Sequence, residues 1–156
     1  MGTPTIVTTI TRAVDIDADP GSVWQLLEDV RRLPEYSPST LEVSDAPERL
    51  TTVGQSYTQV GKLLGKRYRS TWTVTDLEPG RRIRSEGTIG AGVRYCLTQN
   101  LTAVGKSKSR LEIVMDYTLP GGPLGRLASK AGVAARATRE AEEVLDGIRS
   151  TVERDR

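Results

Sequence analysis

The chain has no histidine, no phenylalanine and one cysteine, Cys96. Without imidazole, neither a Ser-His-Asp nor a Cys-His arrangement can be assembled. One thiol and no imidazole also leave too few ligands for a structural or catalytic zinc site, so no metal and no cofactor are expected. Any acid-base chemistry falls to carboxylates, Lys, Tyr or water. A lone cysteine excludes an intramolecular disulfide and suits a reducing compartment. No apolar run approaches the roughly 18 residues of a membrane span. Met1 to Thr9 lacks a basic segment followed by an apolar one, so no signal peptide is read and a cytoplasmic location is expected. Charge of one sign is not in excess either: the net value is +2, which alone points to no nucleic-acid or membrane partner. Five Tyr and two Trp are the only aromatics, so the core must be mostly Leu, Ile, Val and Ala. The 156 residues suit one domain, 1–156, with a real core.

What is present is a long series of alternating segments. From Thr5 to Ile16, Ile6, Ile10, Val14 and Ile16 share one face, while Thr9, Thr11 and Asp15 share the other, as in a half-buried strand. Asp19-Pro20 is a helix start, an N-cap acceptor followed by proline at the first helical position. A short helix from Pro20 to Asp29 then buries Val23, Trp24 and Leu27, and a second short turn spans Arg31 to Tyr36. Further strands are read over 41–44, 55–62, 67–77, 82–86, 93–103 and 110–119. Glu78-Pro79-Gly80 is a turn, Gly87 to Gly92 a glycine-rich corner, and Gly105 to Ser109 a hairpin tip.

The last stretch, Pro123 to about Glu153, carries Leu124, Leu127, Ala131, Ala134, Ala135, Ala141, Leu145, Ile148 and Val152 at helical spacing. Arg136, Arg139, Glu140, Glu143 and Arg149 are read as its solvated face. Such a helix gains stability only by packing. One strand, two short helices, six strands and a long helix predict an α+β fold, a seven-stranded antiparallel sheet wrapped around the C-terminal helix. Gly132 and Gly147 each cost about 1 kcal/mol in a helix interior, so they mark either close packing on the sheet or volume left for a ligand.

The residues then resemble a known family. Val14-Asp15-Ile16-Asp17-Ala18 before Val23-Trp24, Leu33-Pro34-Glu35-Tyr36 (where relatives usually carry Trp at the position of Tyr36), Val74 to Arg82, and Tyr117-Thr118-Leu119-Pro120 are similar to the START-like (SRPBCC) superfamily with the helix-grip fold. The likeness is to its polyketide cyclase/dehydrase and lipid-transport branch. These are packing and turn positions, so they carry the fold better than the activity. The resemblance implies a cavity between sheet and C-terminal helix that holds a hydrophobic or amphipathic small molecule. Three functions follow: a binder of a polyketide-like or lipid-like ligand, an aromatase/cyclase or dehydratase using the same cavity, or a ligand-free interaction or stress-response module. Monomer and homodimer are both compatible.

Strand parity supplies the candidate site. Tyr57, Tyr68, Ser70, Trp72, Tyr95, Leu97, Gln99, Met115 and Tyr117 point to the apolar face, and Leu124, Leu127, Ala128 and Ala131 roof it. Converging hydroxyls in an apolar pocket suit a flat, oxygenated ligand. No catalytic set is read. Arg67, Arg69, Arg82 and Arg84 have the opposite parity and no interleaved aromatics, which disfavours nucleic acid. Cys96 also faces outward and is read as inert. Gly105-Lys106-Ser107 lacks the upstream glycine of a phosphate loop, since Asn100 stands there. Asn100-Leu101-Thr102 is a chance sequon within a strand.

Overall fold

Alternation and capping place the elements as the sequence requires. The computed structural model describes residues 6–63, 65–89, 93–119 and 133–155. In order they form β1 (Ile6–Ile16), α1 (Pro20–Glu28), a 3-10 turn (Val30–Arg32), α2 (Leu33–Tyr36), β2 (Thr40–Ser44), β3 (Ser56–Leu63), β4 (Lys66–Glu78), β5 (Arg82–Ile89), β6 (Val93–Gly105), β7 (Lys108–Leu119) and α3 (Val133–Arg154). The strands make one antiparallel sheet in the order β1-β7-β6-β5-β4-β3-β2. Each neighbour is the next strand in sequence except at β1, which crosses to pair with β7. This is the helix-grip α+β architecture. The first half of the expected helix, with Leu124, Leu127, Ala128, Ala131 and Gly132, lies outside the described residues, as do Gly90 and Gly92.

Local chemistry sets the ends. The Asp19 carboxylate accepts the Ser22 amide at 3.2 Å and the Ser22 hydroxyl at 2.7 Å, an N-cap on α1. Those bonds, the Ser22 hydroxyl's first, hold its pKa below the usual carboxylate range. At Glu78-Pro79-Gly80-Arg81 the Arg81 amide donates to the Glu78 carbonyl at 2.9 Å, with Gly80 at φ 78°. Proline then glycine at the two central positions is the composition of a type II turn. A bulge between Val74 and Asp76 shifts the β4 register by one residue. Val74 and Leu77 thereby both face the core, while Asp76 and Glu78 reach outward to Arg82, at 2.8 and 3.1 Å. Arg82 thus has two carboxylate partners on the outer sheet face.

The main core gathers at one end of the sheet. Ile16, Trp24, Leu26, Leu27, Ile83, Leu101 and Leu111 meet Ala141, Leu145, Ile148 and Val152 of α3. A second, smaller cluster forms around Ile10 and Tyr117, with Val93, Tyr95, Met115 and Ala137 packed against it. α3 lies along β1, on β7, and against α1 and α2.

Four details differ from the sequence expectation. β5 runs on to Ile89, so Gly87 is a strand residue and not part of a corner. Ala134 and Ala135 are exposed. Ala134 has the phase of the buried stripe but no described element covers it, and Ala135 is well off that phase. Arg136 and Glu140 are half-buried and do not belong to the solvated face. Gly147 packs closely, but on the backbone of Tyr36 in α2 and not on the sheet.

Candidate ligand-binding site

The antiparallel register builds an aromatic row across the sheet. Tyr57 pairs with Trp72, Trp72 with Gly87, Gly87 with Tyr95, and Tyr95 with Tyr117. All point to the face that α3 grips. Gly87 makes the row continuous. A Cβ there would stand 2.6 Å from the Trp72 ring, so the indole lies flat over the missing side chain. The Trp72 Nε1–H donates to Ser70 Oγ at 3.0 Å, which satisfies a donor that burial would otherwise orphan. The Trp72 and Tyr95 ring centroids are 6.3 Å apart, and those of Tyr95 and Tyr117 are 5.9 Å apart, both in tilted contact.

A cleft of about 260 Å³ opens between the α2–β2 connection and the start of α3, lined by Pro38, Ser39, Arg136, Arg139, Glu140 and Glu143. Tyr68 stands near three of its residues, Ser39, Arg136 and Glu140. Its ring crosses Gly61, where a Cβ would lie 2.5 Å from the phenol oxygen, and its hydroxyl is hydrogen-bonded at Ser39. Burial raises the Tyr68 phenol, the Glu140 carboxylate raises it further, and Arg136 acts in the opposite direction. Burial, followed by Glu140 and Tyr68, pushes Tyr95 up to about 12. One carboxylate therefore acts on two phenols, and both phenols stay protonated donors at neutral pH. A smaller hollow of about 100 Å³ lies at Ser22, Gln25, Arg32 and Asp155.

The expected site residues divide by position. Tyr57, Ser70, Trp72 and Tyr117 are buried along or beside the aromatic row, and Tyr68 and Tyr95 are half-buried within the electrostatic reach of Glu140, a cleft residue. Leu97 and Met115 pair with each other one row deeper. Gln99 lies deeper still, between Ile83 and Ile113, about 13 Å along β6 from Tyr95. Leu124, Leu127, Ala128 and Ala131 lie outside the described residues. Arg136 and Glu140 are the additions. Their signal was available: they stand four residues apart, flanking the line through Ala137, Ala141 and Val144. Cys96 faces outward as expected, and Arg84 Nε lies 2.9 Å from its sulfur. Among the described residues no cluster of three or more His, Cys, Asp or Glu is arranged to hold a metal.

The buried phenols also set a pH limit on the fold. Burial raises Tyr36 and Tyr57 well above the usual phenol range, Tyr36 further through Tyr57. A group whose folded value is raised contributes stability below its unfolded value, and loses it as pH rises toward the folded one. The unfolded value is about 10. Unfolding free energy should therefore fall above about pH 10, by up to about 1.4 kcal/mol per pH unit for each buried phenol. Chemical denaturation between pH 8 and 12, in wild type and in Tyr36→Phe/Tyr57→Phe, checks this. The double variant should lose much of the alkaline slope.

Comparison with known proteins agrees with this construction. The family model described as polyketide cyclase / dehydrase and lipid transport matches residues 7–153. No curated protein sequence matches the chain. Among solved structures, the Zhui aromatase/cyclase from Streptomyces sp. R1128 superposes with a TM-score of 0.80 at 20% identity, covering 96% of this chain and 95% of that one. A protein from Thermus thermophilus gives 0.79 at 20% identity, covering 95% and 99%. A START superfamily protein from Mycobacterium smegmatis gives 0.71 at 11% identity, covering 95% and 99%. At these identities the structures establish a shared fold, while the family match extends over nearly the whole sequence. The chain belongs to the polyketide cyclase / dehydrase and lipid transport family, the branch of the START-like superfamily that its motifs resemble.

Proposed function

We propose that the chain binds a hydrophobic or aromatic small molecule, polyketide-like or lipid-like, between the gripping face of the sheet and the C-terminal helix, entering at the Ser39–Glu140 cleft. The observation behind this is that the Glu140 carboxylate acts on both the Tyr68 and the Tyr95 phenols, Tyr95 standing within the aromatic row. Ring faces supply a flat apolar surface, the neutral phenols donate to a ketone or enol oxygen, and Glu140 accepts from a ligand hydroxyl. A cytoplasmic location belongs to the same reading and rests on the lone thiol Cys96.

Native mass spectrometry of freshly purified protein should show a co-purified small molecule. A titration with the apolar dye 1-anilinonaphthalene-8-sulfonate reports on the same space. Tyr68→Phe and Tyr95→Phe should each weaken dye binding by about two- to tenfold, the value of one net hydrogen bond. Wild-type affinity in both variants would move the site elsewhere.

The same carboxylate and phenols favour one second reading, a cyclase. Glu140 would take a proton from a carbon flanked by two carbonyls, and a phenol would hold the resulting enolate oxygen. Holding the chain in a folded geometry would supply much of the acceleration. Turnover of a poly-β-ketone that falls in Glu140→Gln while dye binding persists separates catalysis from binding.

A further inference from the structure

The outer face of the sheet, turned away from α3, carries its charges unevenly. Over much of it cations and carboxylates are matched. Arg82 bonds Asp76 and Glu78, and Arg110 bonds Asp15. Arg84 lies on the Cys96 sulfur, with Glu86 and Asp116 nearby. Glu112 accepts the Asn100 amide, and Asp116 accepts the Thr9 hydroxyl. At the corner formed by β2, β3 and β4 the matching stops. Lys62 stands opposite Arg67 in the β3–β4 register, and Val60 opposite Arg69. All four have the parity opposite to Tyr57 and Tyr68, so they share the outer face. Arg94 of β6 stands in the row of Thr71 and Thr88, the next row from Arg69. Lys62, Arg67, Arg69 and Arg94 are exposed. Among the described residues none of these four cations has a carboxylate within ion-pair distance. The rest of the chain contains no Asp or Glu to supply one. The corner is also partly apolar. At the register shift between Thr40 and Glu42, Leu41 is 43% exposed, and Val60 is half-buried between Glu42 and Arg69.

We infer that this corner docks an extended acidic segment of a partner protein, one that carries an apolar side chain among its carboxylates. Arg67 and Arg69 are two residues apart on one strand, about 6.6 Å. Alternate side chains of an extended peptide have the same spacing, so successive carboxylates meet successive guanidinium groups. Lys62, about 5 Å from Arg67 on the next strand, adds a third charge. Leu41 and Val60 receive the apolar side chain beside them. A surface patch of one sign steers a partner of the opposite sign and selects against others. A nucleic acid fits less well, because single strands stack on aromatic side chains set among the cations. Here Tyr57, Tyr68 and Trp72, on the same two strands, all have the inner parity. The docking corner lies on the opposite face of the sheet from the proposed ligand site, and it does not rest on that reading.

The experiment is fluorescence anisotropy of the full chain with a labelled peptide in which Glu alternates with Thr around a central Leu. Wild type should bind it, and binding should weaken with added salt, as exposed charges are screened. Lys62→Glu/Arg67→Glu/Arg69→Glu should bind at least about tenfold more weakly. The milder Lys62→Gln/Arg67→Gln/Arg69→Gln should move in the same direction. Arg81→Glu/Lys106→Glu/Lys108→Glu makes the same change of net charge at exposed positions elsewhere. It should stay within about twofold of wild type, since distant charges are screened. Unchanged circular dichroism shows that the variants fold. No binding by wild type overturns the inference, and so does equal binding by wild type and the corner variants. Equal loss in the distant variant overturns it as well, because net charge alone then explains the binding. Tighter binding of a single-stranded RNA, or of vesicles containing phosphatidylserine, shows a partner that is not a protein and overturns it too. Loss of dye binding in Tyr68→Phe does not bear on peptide binding, so the two proposals fail separately.

Discussion

Gly147→Ala should destabilise the protein by about 2 kcal/mol, although alanine is the better helix former by about 1 kcal/mol. A methyl group at this position meets the carbonyl oxygen, carbonyl carbon and Cα of Tyr36. These are backbone atoms and cannot rotate away. Nor can α2 withdraw easily. Tyr36 is buried, Arg32 bonds both Glu35 and Asp155 at 2.9 Å, and the Ser37 amide closes the turn on the Leu33 carbonyl at 2.9 Å. Overpacking against a fixed neighbour costs more than helix propensity returns. For a chain of this size the melting temperature should fall by roughly 4–8 °C. Ser150→Ala, an exposed site on the same helix, is the control. Thermal unfolding of the two variants in parallel checks the sign. A higher melting temperature for Gly147→Ala would mean that α2 is not pressed against α3.

Gly87→Val should also destabilise, by about 2 kcal/mol, and should weaken apolar ligand binding with it. On strand propensity alone the change is favourable, on a scale that spans about 1 kcal/mol. The new Cβ, however, falls 2.6 Å from the Trp72 indole. That ring has nowhere to move. Ser70 holds its nitrogen, Tyr95 contacts one side, and Tyr57 is paired on the neighbouring strand. Relief requires the indole to leave its rotamer or the β4–β5 ladder to part. Urea denaturation followed by tryptophan fluorescence reads both outcomes, because Trp72 and Trp24 are the only tryptophans and Trp24 lies in the main core. A stabilised variant with unchanged emission would show that the row tolerates a side chain at its centre.

Much of this structure was legible in the sequence because strand alternation is a local property. Ile10, Val14 and Ile16 on β1, and Leu111, Ile113 and Tyr117 on β7, announced their face without knowledge of the partner strand. The parity that grouped Tyr57, Tyr68, Trp72, Tyr95 and Tyr117 holds for the same reason. Register was not legible, and register decides which of those residues become neighbours. Gly87 reads as a corner residue when seen beside Gly90 and Gly92. Only the pairing of Trp72 and Tyr95 on either side of it makes it the space for an indole. Arg136 and Glu140 escaped notice because charged residues near a helix stripe are usually solvated. Tyr68 of β4 and Ser39 of the α2–β2 connection stand near them, contacts that no local pattern announces. The one-residue shift at Thr75, which turns Asp76 outward, leaves no mark in the composition of β4.

The pairing of β1 with β7 also bears on how the chain is made. Ile6 pairs with Leu119 and Ile16 with Ser109, so the partner of β1 is the last of the described strands to be translated. At about 5–20 residues per second, β1 waits several seconds on the ribosome before its neighbour emerges. During that interval β2 to β6 pair as successive hairpins, each with the strand just before it. The apolar side of β1, with Ile10, Val14 and Ile16, stays unburied meanwhile, and its exposed backbone edge offers a template to other nascent chains. Thr8, Thr9, Thr11 and Arg12 interrupt its apolar residues and lower that hazard. The growing sheet is completed only when β1 pairs at its far edge and the helix closes over both.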